Sequence, residues 1–68
     1  MYNMKSFEMV IMENVNVSRL KEILSGLEKI GCSIELFDGK YRVTYEDALQ
    51  EDVKSFFDTD YRNNVKLQ

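Results

Sequence analysis

The chain has 68 residues and a formal net charge of −3, with 44% hydrophobic and 31% charged residues and neither histidine nor proline. Residues 1–68 therefore read as a single small domain near globular averages, without the imidazole that usually activates a serine or cysteine nucleophile. The longest strongly apolar run, Met9-Val10-Ile11-Met12, is far from the ~20 residues of a membrane helix, and the lone Cys32 leaves no internal disulfide or zinc set.

The first residues, Met1-Tyr2-Asn3-Met4-Lys5, carry no basic stretch leading into an apolar one, which points to a cytoplasmic protein. From residue 5 to 13, Phe7, Met9 and Ile11 alternate with Ser6, Glu8, Val10 and Met12, the period of a strand with one strongly and one partly apolar side. Ser18 then reads as the N-cap of a helix that collects Leu20, Ile23, Leu24, Leu27 and Ile30 on one side. Gly31 ends it, and Gly26 within it reads as a close approach by another backbone.

Asp38-Gly39 between two alternating arms predicts a hairpin with a two-residue type I′ turn, which pairs Phe37 with Lys40, Leu36 with Tyr41, Glu35 with Arg42, Ile34 with Val43 and Ser33 with Thr44. An ion pair between Glu35 and Arg42 is expected across it. Leu49, Val53, Phe56 and Phe57 predict a second helix over 47–57, with Asp47 as N-cap answered by Gln50. From about residue 59 the pattern reads as a tail. The expectation is an α+β, two-layer β-α-β-β-α domain: a three-stranded mixed sheet against two helices, its third strand between the first two.

Catalytic and metal chemistry find little to build on. Cys32 reads as a small buried apolar residue beside the end of a helix. The acid pairs Glu46-Asp47, Glu51-Asp52 and Asp58/Asp60 fall where solvent is expected, with nothing to separate their pKa values. Asp58-Thr59-Asp60 opens like a calcium loop, but Arg62 takes the fifth position and Asn63 replaces the glycine. No catalytic residue, metal ligand or cofactor is assigned, and a non-enzymatic role is expected.

Charge distribution is the stronger signal. Residues 1–45 hold six acids and six bases, whereas residues 46–60 hold six acids against Lys54 alone, a local charge of −5. The expected function is protein binding: an inhibitor or regulator, of the compact acidic kind common among phage products, docking its helical carboxylates on a basic surface as a mimic of nucleic acid. The partner-binding set is Asp47, Glu51, Asp52, Asp58 and Asp60, with Tyr61 from the tail. Two alternatives stand beside it. One is a homodimer or assembly subunit joined through Val10, Met12 and Phe37 on the open side of the sheet. The other is a weak nucleic-acid binder using Lys40 and Arg42 around Phe37, with Lys5 nearby; the net negative charge speaks against direct nucleic-acid contact.

Overall fold

The computed structural model describes residues 3–68, and within them every side chain except that of Asp60. The chain runs β1 (Met4–Ile11), α1 (Val17–Ile30), β2 (Ser33–Phe37), β3 (Lys40–Glu46), a 3-10 turn (Asp47–Leu49), α2 (Gln50–Phe56), a π turn (Phe57–Tyr61) and β4 (Val65–Leu67). The strands form one sheet in the order β2-β3-β1-β4, every ladder antiparallel, which is the split β-α-β topology.

The hairpin registers as its turn chemistry requires. All five expected β2–β3 pairs are present, and Asp38 and Gly39 both adopt positive φ, 53° and 76°. β3 lies between β1 and β2, as expected, but the sheet has four strands instead of three and is antiparallel throughout instead of mixed. The fourth strand comes from the residues read as a tail. Val65 pairs with Ile11 and is buried, while Gln68 exchanges both backbone hydrogen bonds with Glu8, at 2.9 and 3.3 Å. Three residues span less than two periods of alternation, too short for the pattern to stand out in sequence.

Helix α1 is capped two residues earlier than expected. Asn16, not Ser18, accepts the Arg19 backbone N–H at 2.8 Å, because Val17 joins the first turn although it points to solvent. At the other end Gly31, at φ 117°, donates to Glu28, and the Cys32 N–H donates to Leu27, which together close a Schellman motif. What approaches Gly26 is a ring and not a backbone: a methyl group there would stand 2.7 Å from Cζ of Phe56 and closer still to Cε1.

Both helices cover one side of the sheet. Met9, Ile23, Leu27 and Val43 are fully buried, with Val53, Phe57, Cys32 and Val65 nearly so. An edge-to-face aromatic chain runs from Tyr45 through Phe7 and Phe57 to Phe56, with centroid separations of 5.9, 5.8 and 5.2 Å. It continues to Tyr61, whose ring lies 4.7 Å from that of Phe56. Residues five apart stack only where the helix widens, so the π turn and this ring pair account for each other.

Candidate functional site

The acidic segment is not one regular helix. A tight 3-10 turn leads into α2 and a wide π turn leaves it, so carboxylates expected in a straight row fan out. Glu51 and Asp58 are both exposed and neither has an ion pair among the described residues, and Asp58 also lines a hollow with Phe7, Tyr45 and Leu67. Asp52 is exposed on the flank, where it lines a shallow hollow with Lys29 of α1. The inner side buries Val53 and Phe57.

Asp47 does not cap the helix. Glu46 occupies the N-cap position of the 3-10 turn and Leu49 that of α2, neither with a side-chain bond, while Asp47 Oδ1 lies 2.9 Å from Nζ of Lys5 on β1. Gln50, expected to answer Asp47, instead accepts from the same ammonium at 2.8 Å. The bond to Asp47 holds the Lys5 pKa above its ordinary value. Asp47 thus lies apart from the unpaired carboxylates. Lys5, expected near Phe37, faces the helices instead, because it shares the β1 side of Phe7 and Met9.

Tyr61 is part of the packing and not a projecting tail residue. Its ring is half-buried between Phe56 and the Arg19 guanidinium, whose carbon lies 4.3 Å from the ring centroid. Arg19 also donates through Nε to Asn64 at 3.2 Å and meets Glu22 at 3.1 Å, so it ties α1 to the segment leading into β4. Nothing local in the sequence marks Arg19 for this role, since Asn64 lies 45 residues further along the chain. The side chain of Asp60 lies outside the described residues.

The open side of the sheet is differently arranged. Glu8 lies 3.5 Å from Lys40 and 3.9 Å from Arg42, and Lys40 also donates to Gln68 at 3.1 Å. Arg42 leans over the Phe37 ring, 5.7 Å from its centroid. The expected ion pair between Glu35 and Arg42 is replaced by the one with Glu8, leaving Glu35 without an ion pair among the described residues. Val10, Met12 and Phe37 do not merge into one apolar patch. Phe37 pairs with Lys40, and continuing the β1–β3 register one step sets Val10 beside Lys40 as well, so a lysine divides the two. Val10 is half-buried, whereas Met12 and Phe37 are exposed.

Burial raises the Cys32 thiol pKa, which suits a packing residue better than a nucleophile. Among the described residues no cluster of three or more histidine, cysteine or acidic side chains could hold a metal ion, and no helix is long and apolar enough to cross a membrane. No protein-family model matches the chain, and neither a curated protein nor a solved structure does.

Proposed function

We propose that this protein is a non-catalytic binding module whose outer helical surface, centred on Glu51 and Asp58 with Asp52 at its flank, docks on a basic surface of a partner protein. The observation that supports this most is the contrast in pairing. Glu8 on the sheet has cations beside it, whereas Glu51, Asp52 and Asp58 are exposed without an ion pair among the described residues. Exposed unmatched charge costs little in the free protein and accelerates encounter with an opposite surface. Val53 and Phe57 anchor the carboxylates from beneath, so they are presented on an ordered support. Inhibition by mimicry of nucleic acid is the form of this reading in which the partner's basic surface is itself a nucleic-acid site.

The test is affinity capture with immobilised wild-type protein and with the combined variant Glu51→Lys, Asp52→Lys, Asp58→Lys. A basic protein retained by the wild type, released by moderate salt and absent from the variant supports the reading. Equal retention by both defeats it. The alternatives draw less support: Glu8 offsets Lys40 and Arg42 as a nucleic-acid surface, and Lys40 interrupts the apolar contact a sheet-face dimer would use.

A further inference from the structure

The outer edge of β2 carries a second, independent feature. Phe37 and Lys40 close a two-residue hairpin and so form a hydrogen-bonded pair; alternation then directs Ser33, Glu35 and Phe37 to β3 and leaves the N–H and C=O of Ile34 and Leu36 pointing outward. β2 is an edge strand, and these outward groups have no partner among the described residues. Edges of this kind are commonly blunted by lysine, proline or a bulge, and β2 has none of these. Its tip is also apolar on both sides, with Leu36 64% and Phe37 63% exposed.

We propose that the β2 edge binds an extended segment of another protein as a fifth, antiparallel strand, and that it selects a basic residue flanked by apolar ones. The selection follows from the register. A strand added at Ile34 and Leu36 forms hydrogen-bonded pairs there, which puts Glu35 in a non-hydrogen-bonded pair, where facing side chains come closest. Glu35 has no ion pair of its own among the described residues, so a lysine or arginine opposite it is favoured and an acid is rejected. The incoming residues opposite Ile34 and Leu36 fall on the helix side, where they extend the apolar floor those two begin. A second copy of this chain fits less well. The two-fold register overlapping all five residues sets Glu35 against its own counterpart, between molecules that each carry −3.

Amide spectra titrated with blocked synthetic decapeptides of alternating threonine and valine, carrying either lysine or glutamate at the centre, test this. Shifts are expected to centre on residues 33–37, with the lysine peptide binding at least tenfold more tightly than the glutamate peptide. Glu35→Lys is expected to reverse that preference. Leu36→Pro, which removes an outward donor without touching the β2–β3 ladder, is expected to abolish binding while the dispersed spectrum persists. If Leu36→Pro unfolds the chain, the charge swap at Glu35 still decides. The Glu51/Asp52/Asp58 variant is expected to bind the lysine peptide with affinity within about threefold of wild type, which separates this edge from the helical surface. No binding at millimolar peptide, an unchanged preference in Glu35→Lys, or a wild-type dimer broken by Leu36→Pro would overturn the proposal.

Discussion

The open side of the sheet and the outer side of α2 both carry charge, but they handle it differently. On the sheet, antiparallel pairing sets residues of distant sequence side by side, and Glu8 meets Lys40 and Arg42 within 4 Å. On α2, neighbours are dictated by local sequence, and that sequence supplies acids almost alone. Cross-strand geometry lets a surface neutralise itself with groups from elsewhere in the chain. An outward helical face has no such supply, except at its margins, where Lys5 reaches Asp47 and Lys29 shares a hollow with Asp52. Glu51 and Asp58 stay exposed without an ion pair among the described residues.

Breaking the support of the acidic surface should have the largest effect on stability. Gly26→Ala places a methyl against the Phe56 ring, which is itself held by Phe57 and Tyr61 and has little room to yield. Overpacking costs about 1–3 kcal/mol, and the gain of about 1 kcal/mol in helix propensity offsets only part of it. A net loss of up to about 2 kcal/mol is expected in urea unfolding; a stabilised variant would show that Phe56 is free to move.

A smaller effect is expected from unmatching the sheet. Glu8→Gln removes the carboxylate shared by Lys40 and Arg42, and because these side chains are 41% to 48% exposed the stability change should stay within about 1 kcal/mol. Affinity for a single-stranded oligonucleotide at low salt should rise several-fold, since two cations are released. Unchanged affinity would mean that Glu8 was not neutralising them. The smallest effect concerns Lys5. Its folded pKa is raised, so its bond to Asp47 contributes fully below the ordinary lysine value and is lost as pH climbs through the folded value. Side-chain titration by NMR should show that value falling in Asp47→Asn; no fall would place the cause elsewhere.

Much of this contrast was legible in advance, and the limits were physical. Period-two alternation and Asp38-Gly39 sufficed for the hairpin and its register, because a two-residue turn leaves one pairing. Local composition sufficed to locate the acidic segment. What escaped were interactions between residues far apart in sequence. Lys5 took Asp47 from its expected cap, Arg19 drew Tyr61 into the packing, and Glu8 drew Arg42 from Glu35. β4 escaped for the same reason, since Val65 and Leu67 acquire meaning only beside β1. The widened turn at Phe57–Tyr61 carries no composition signal; it accompanies a Phe56–Tyr61 ring contact that only the folded chain provides.

The claim that negative potential is unmatched over α2 and matched over the sheet can be measured without any partner. Relaxation of backbone amides by a cationic nitroxide, compared with a neutral one of the same size at low salt, reports local potential residue by residue. The expected result is strong excess relaxation by the cation for residues 51–58 and near parity for residues 6–10 and 40–44. Equal enhancement over both regions, or a larger one on the sheet, would contradict the account.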